Sequence, residues 1–137
     1  MTKTERVQQC NRAIAVIASV GRRFFSQDAD QTRMERPRVS RFELDERGRI
    51  WFVDRWNGER IYVAYKYWGR EFSEGGTLRS LVCAMRDYVR DERNTIPFGH
   101  FGPWPQTICD GDLWGYGKDM TEVRRRISDI FNEEPGK

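Results

Sequence analysis

Few side chains in this 137-residue chain are suited to metal binding or nucleophilic catalysis. The soft metal ligands are three cysteines and one histidine: Cys10, Cys83, Cys109 and His100. Structural zinc sites usually take paired ligands roughly two to four residues apart, and no two of these residues are that close. The spacing therefore predicts no metal site and no cofactor. Cys10 and Cys83 are expected to be small residues of the core.

A hydrolase or metal enzyme is a minor alternative, because His100, Cys109, Asp110 and Asp112 fall within one short segment. Any Cys–His or Ser–His mechanism must use His100, since the chain has no other histidine. The residues around Cys109 do not resemble the positively charged helix start that activates a thiol. Asp110-Gly111-Asp112 lacks the further ligands of a calcium loop. These residues favour a protein that is not an enzyme.

Arginine clusters are a stronger indication of function. The chain has 24 basic and 21 acidic residues, a net charge of +3, and Arg outnumbers Lys 20 to 4. Planar guanidinium groups bind phosphate or carboxylate through paired hydrogen bonds, although an Arg-rich codon bias would give the same count. The net charge is smaller than that of a dedicated nucleic-acid-binding protein. The arginines therefore predict a local contact surface.

Three groups of arginines are candidates for this surface. The first lies in a polar segment and comprises Arg33, Arg36, Arg38 and Arg41. The second follows one side of a predicted helix, Arg79, Arg86, Arg90 and Arg93, where we expect local pairing such as Asp87 with Arg90. The third is the consecutive run 124–126, of which at least two must be exposed. The contact residues predicted from the first and third groups are Arg33, Arg36, Arg38, Arg41, Arg124 and Arg125.

Aromatic residues crowd the middle of the chain, at Trp51, Trp56, Tyr62, Tyr65, Tyr67 and Trp68. Trp, Tyr and Arg are the residue types that dominate protein–protein hot spots, and aromatic rings also stack on unpaired bases. We therefore add Trp56 and Trp68 to the predicted contact residues. The alternative is that the segment 94–118 folds back over the second face of the sheet, and partial covering is expected.

Hydrophobic periodicity predicts three helices. The first runs from Thr2 to about Arg23, with Thr2 and Glu5 at capping-box spacing. The second has Thr77 as its N-cap, and the third is a short helix with Asp119 and Glu122 as another capping box.

Between the first two helices, three short runs predict an antiparallel meander. They are Arg41–Leu44, Ile50–Val53 and Ile61–Tyr65, and Asn57-Gly58 supplies a tight hairpin turn. Alternation gives one face to Phe42, Leu44, Ile50, Phe52, Ile61 and Val63, and the other to Trp51, Val53, Tyr62 and Ala64. The predicted fold class is α+β, with helices packed on one face of the sheet.

The length predicts a single domain over residues 1–137. We expect a polar loop at 26–38, an ordered loop rich in aromatic residues, Gly and Pro at 94–118, and a frayed tail at 132–137. No apolar run approaches the ~18 residues of a membrane span. The odd cysteine count does not make a disulfide framework. We therefore expect a cytoplasmic protein with reduced thiols and no membrane partner.

Several stretches resemble small proteins encoded by phages and integrated elements. They are Gly21-Arg22-Arg23-Phe24-Phe25, Arg41-Phe42-Glu43-Leu44-Asp45, Phe72 to Val89, and His100-Phe101-Gly102-Pro103-Trp104-Pro105. The resemblance covers most of residues 5–130 and implies a setting inside a host cell. Accessory proteins of such elements are often inhibitors of host defence, including anti-CRISPR proteins, that act by occluding a surface.

The order of elements also resembles a double-stranded-RNA-binding domain. Those domains carry a Lys-rich cluster at the start of the second helix, where this chain has Thr77-Leu78-Arg79-Ser80. That departure argues against RNA binding.

The sequence thus favours a non-enzymatic phage or mobile-element protein that occludes a host protein or nucleoprotein complex. The alternative is direct binding of nucleic acid through the Arg33–Arg41 segment and the sheet. The third interpretation is a small hydrolase or metal enzyme that uses His100 and Cys109.

Overall fold

A computed structural model describes residues 1–20, 40–53, 60–63, 76–107, 109–112 and 116–132. In these ranges the helices are α1 (Lys3–Val20), α2 (Gly76–Arg90) and α3 (Met120–Phe131). The strands are β1 (Arg41–Leu44), β2 (Ile50–Val53) and β3 (Arg60–Tyr62). Short 3-10 turns at Phe98–Phe101, Cys109–Gly111 and Gly117–Asp119 lie between α2 and α3. The predicted 26–38 loop, the Asn57-Gly58 turn and residues 133–137 of the predicted tail lie outside the described residues.

The strands form an antiparallel sheet in the order β1-β2-β3. Phe42 lies opposite Phe52, which lies opposite Ile61 on the third strand. Five of the side chains that alternate onto the inner face are buried at 3% exposure or less: Phe42, Ile50, Phe52, Ile61 and Val63. The sixth, Leu44, is half-buried and packs against the same core. They join the apolar residues of the helices in one core. The predicted α+β class and the meander are confirmed.

Helix α1 lies across β1 and also contacts α2 and α3. The Glu5 backbone N–H donates to the Thr2 hydroxyl at 3.1 Å, as the predicted capping box requires. The apolar stripe of α1 faces the core, and Cys10 and Ile14 are fully buried. Burial raises the pKa of the Cys10 thiol, which keeps it protonated. The prediction that Cys10 is a core residue is confirmed.

A polar side chain of α1 protects the edge of the sheet. The Asn11 side-chain amide donates to the Phe42 carbonyl at 2.9 Å, and its oxygen accepts the Phe42 backbone N–H at 2.7 Å. Asn11 therefore satisfies both outward-facing backbone groups of one residue on edge strand β1, as a neighbouring strand would.

The starts of α2 and α3 differ from their predicted caps. Helix α2 begins at Gly76, which places Thr77 in the first turn instead of at the N-cap. Asp119 makes no side-chain capping hydrogen bond to α3. Asp119 belongs to the preceding 3-10 turn, and its φ of −87° and ψ of 0° differ from the extended backbone of a capping residue. No helix among the described residues is long and apolar enough to cross a membrane.

Candidate functional site

The face of the sheet that points away from the helices carries a compact set of aromatic and charged side chains, which we call the outer face. Strand alternation and the register place Arg41, Glu43, Trp51, Val53, Arg60 and Tyr62 on it. The turn between β1 and β2 adds Asp45 and Arg49 at one end.

Asp45 organises this turn. One carboxylate oxygen accepts the backbone N–H groups of Arg47 and Arg49, both at 2.9 Å. The other accepts the Arg49 guanidinium at 2.6 Å and the Trp51 indole N–H at 3.0 Å. These bonds, that from Trp51 first, lower the pKa of Asp45 below its usual range. Asp45 therefore fixes both the hairpin turn and the orientation of the Trp51 ring.

The Trp51 ring is also held by its neighbours across the sheet. Its centroid lies 5.1 Å from that of Tyr62, on the opposing strand. The Arg60 guanidinium lies over the Trp51 ring, 4.4 Å from the centroid, and Arg49 lies 6.0 Å from the centre of Tyr62. Cations over aromatic faces add to the ring packing. Trp51 and Tyr62 are half-buried, which leaves part of each ring in contact with solvent.

Charges on the outer face are paired within the face. Glu43 accepts Arg41 at 2.8 Å and lies 3.4 Å from Arg60, while Asp45 accepts Arg49. Val53 lies between Arg41 and Arg60 in the register and is only 5% exposed. The face therefore combines two fixed rings with arginines that already have carboxylate partners.

The sequence of the chain matches one known protein family. A family model named YoqU matches residues 1–131, a range that contains the whole outer face and all three helices. The chain belongs to the YoqU family. No curated protein and no solved structure matches it.

Three of the predicted contact residues of this YoqU chain can be placed. Arg41 lies on the outer face, where it is exposed and bound to Glu43. Arg124 and Arg125 lie on α3, which packs against α1 in the helical layer. The structure therefore does not bring these two arginines onto the face that carries Arg41. The other predicted contact residues, Arg33, Arg36, Arg38, Trp56 and Trp68, lie outside the described residues.

Two of the four arginines expected along α2, Arg86 and Arg93, make local ion pairs, but not with all of the expected partners. Arg86 binds the adjacent Asp87 at 2.9 Å and also donates to the Val63 carbonyl at 3.1 Å. The latter bond holds the Arg86 guanidinium at the junction of helix and sheet, beside Asp87. The expected Asp87–Arg90 pair is therefore wrong. Arg93 binds Asp91 at 2.6 Å, just beyond the end of the helix.

The residues of the enzyme interpretation form no metal site in the described part of the YoqU chain. Both carboxylate oxygens of Asp112 accept backbone N–H groups, from Tyr116 and Gly117, each at 2.8 Å. Burial lowers the pKa of His100. Among the described residues, no group of three His, Cys, Asp or Glu side chains is placed to hold a metal ion. Asp112 instead fastens the loop ahead of α3.

Sequence reasoning missed several residues that build the outer face. It placed Trp51 and Tyr62 there but did not extend the alternation to Glu43 and Arg60. The same period of two would have put both on that face. The Asp45–Trp51 bond had no comparable signal, since it depends on the path of the turn.

The described part of the 94–118 loop packs its rings on the helices, for example Phe101 on Phe131 at 6.1 Å.

Proposed function

We propose that this protein is a non-enzymatic binding protein whose outer face docks on the surface of a partner protein. The observation that carries the proposal is the Trp51 ring, fixed by Asp45 below and flanked by Tyr62 and Arg60. Buried Trp, Tyr and Arg side chains supply most of the energy of typical protein interfaces.

Fixation of these rings favours tight binding. An interface side chain that is mobile before binding loses about 0.5–1.5 kcal/mol of rotamer freedom when it is immobilised. The Trp51 indole already has a hydrogen-bonded and packed orientation in the isolated chain. Much of that cost is therefore absent when a partner covers the ring.

The pairing of charges favours a protein over nucleic acid as the partner. Nucleic-acid affinity comes largely from cationic groups that replace counterions on phosphates. On the outer face, Arg41 and Arg60 share Glu43, and Arg49 is bound by Asp45. A phosphate would have to compete with these carboxylates and would be repelled by them. A protein surface with its own mixed charges fits the face better.

The biological setting follows from the family. The name of the YoqU family suggests a phage-type protein, which supports a role in a phage or mobile element. The partner is then a host protein or nucleoprotein complex, and a defence complex is the specific case we propose. Inhibition by occlusion requires a binding surface and no catalytic group, so a fixed aromatic face is sufficient for it.

The test is affinity capture from nuclease-treated host lysate, with two matched charge reversals. Arg60→Glu puts a carboxylate beside Glu43 and removes the cation from Trp51. Arg93→Glu makes the same change beside Asp91, at an exposed arginine after α2. We expect one partner to be retained by the wild type and by Arg93→Glu and to be lost with Arg60→Glu.

Equal retention by both variants, when circular dichroism shows that both are folded, would refute the outer face as the docking surface. Retention that occurs only in lysate not treated with nuclease, and that falls steeply with salt, would instead support the nucleic-acid alternative.

A further inference from the structure

A second aromatic region lies at the far end of the helical layer. A cavity of about 250 Å³ opens between the end of α2, the segment 95–101 and the end of α3. Its apolar walls are Tyr88, Ile96, Phe98, Phe101 and Phe131. The Tyr88 and Phe131 rings meet edge to face at 5.8 Å, and Phe101 stacks on Phe131 at 6.1 Å. Phe101 is buried, so the deep wall of the cavity belongs to the core.

An arginine with unusual surroundings lies over Phe98, one of the rings that line this cavity, although it is not itself among the lining residues. Phe98 is 39% exposed, and the Arg124 guanidinium carbon lies 4.9 Å from its ring centre. The Arg124 Nε atom is buried, and the described residues offer it no hydrogen-bond partner. The next residue, Arg125, is bound by both Glu122 and Asp129. Arg124 therefore presents a positive charge that the described part of the chain does not neutralise.

The described residues that line the cavity carry no charge. Their polar members are Thr95, Ser128 and Asn132, and none of the described lining residues is a carboxylate. A ligand with a negative charge would therefore meet Arg124 without repulsion from the cavity walls.

We propose that this cavity binds a small molecule that carries one aromatic ring and one carboxylate. The ring lies among Phe98, Phe101 and Phe131, and the carboxylate binds the Arg124 guanidinium. The size fits this class, because an apolar cavity of about 150 Å³ already holds benzene. Pockets for larger ligands start at about 300 Å³. Edge-to-face packing and a charge-assisted hydrogen bond supply recognition. The proposal is independent of the function assigned to the outer face.

The probe is N-acetylphenylalanine, titrated into the full chain and followed by ¹H–¹⁵N NMR. For a ligand of this size we expect a dissociation constant on the order of 1 mM, with shifts confined to residues around the cavity. N-acetylphenylalanine amide lacks the charge, and N-acetylalanine lacks the ring. Each should bind at least about 10-fold more weakly.

Matched variants show whether a loss of binding comes from the missing charge or from a disturbed fold. Arg124→Gln should weaken binding of the acid by about 10-fold and leave the amide unchanged. Arg126→Gln changes an exposed arginine two positions further along the same helix, and it should leave both affinities unchanged. Ser128→Leu should fill the cavity and abolish binding of the acid while the NMR spectrum stays dispersed.

Three results would overturn the proposal. They are the absence of saturable shifts in the wild type, equal affinity for the acid and its amide, and undiminished binding by a folded Arg124→Gln variant. Tighter binding of a tetrapeptide that ends in phenylalanine would assign the cavity to the end of a partner's chain, and would overturn the assignment to a small molecule.

Discussion

The outer face and the aromatic cavity are both built from rings and arginines, but they differ in charge balance. On the outer face, Glu43 and Asp45 neutralise the arginines that lie over Trp51 and Tyr62. At the cavity, Arg124 lies over Phe98 without a carboxylate among the described residues. An aromatic face whose arginines all have carboxylate partners is suited to a protein surface. A cation that lacks a carboxylate partner among the described residues, close to a ring-lined cavity, is suited to a small anion. The outer face and the cavity therefore differ more in where their carboxylates lie than in where their arginines lie.

The largest expected effect tests whether the two regions share one core. Ile61 lies under the outer face and Phe101 forms the deep wall of the cavity, and both belong to the same buried cluster. Ile61→Ala should destabilise the protein by about 2–5 kcal/mol and Phe101→Ala by about 3–5 kcal/mol. Chemical unfolding, followed by circular dichroism and by tryptophan fluorescence, should give one transition at a lower midpoint in each variant.

The matched control is Phe98→Ala, because the Phe98 side chain is exposed. Its midpoint should change little. Two separate transitions in either core variant would show that the sheet and the helix ends are independent units, against the prediction of a single domain.

The next prediction concerns the edge of the sheet that carries the outer face. Asn11→Leu leaves the Phe42 N–H and carbonyl without the partners that Asn11 provides. We expect a loss of about 1–3 kcal/mol, since the groups that lose their partners are partly buried. Hydrogen exchange at the Phe42 amide should accelerate. Gln8→Leu, an exposed amide on the same helix, should change stability by less than about 0.5 kcal/mol. Equal effects of the two substitutions would contradict the bridging role of Asn11.

How far the sequence predicts this fold depends on whether a feature is local or distant. The period of two placed Phe42, Phe52 and Ile61 correctly on the buried face, and the Thr2 cap was visible from spacing alone. The Asn11 bridge was not visible, because it joins residues 31 positions apart. Asp119 has cap spacing but no capping bond, because it belongs to a 3-10 turn and lacks the extended backbone of a capping residue.

The candidate sites were less predictable than the fold. The sequence analysis predicts both Arg124 and Arg125 as contact residues, because they are consecutive in one run of arginines. Their surroundings differ, because Arg125 faces two acids on its own helix whereas Arg124 lies over a ring from another segment. A contact with a distant segment depends on the tertiary fold and has no local signature. Arg41 was predicted from charge, but its pairing with Glu43 required the strand geometry.

A pH titration should distinguish the two regions. The folded-state pKa of Asp45 lies below the unfolded value of about 3.9, so its stabilising bonds are complete above that pH. They are lost as the pH falls through the folded-state pKa. The Trp51 indole N–H resonance, assigned with Trp51→Phe, should therefore shift only under strongly acidic conditions. The shift should be absent in Asp45→Asn. The Phe98 resonances should not follow it, because none of the described residues that line the cavity is a carboxylate. A Trp51 shift near pH 5 would contradict the assigned bond.

The smallest effect is expected for Arg125→Gln. Arg125 is exposed and bound to Glu122 and Asp129, and surface ion pairs of this kind add little to stability. The midpoint of unfolding and partner capture should both equal those of the wild type within error. Loss of capture would return the α3 arginines to the docking surface and weaken the distinction between the two regions.

Hydroxyl-radical footprinting of the captured complex tests the central claim most directly, because it reports both regions in one experiment. Side-chain oxidation is measured by mass spectrometry for the free protein and for the complex. We predict that Trp51 and Tyr62 are protected when the partner is bound and that Phe98 keeps its reactivity. Protection of Phe98 with unchanged oxidation of Trp51 and Tyr62 would contradict the assignment of the outer face as the docking surface.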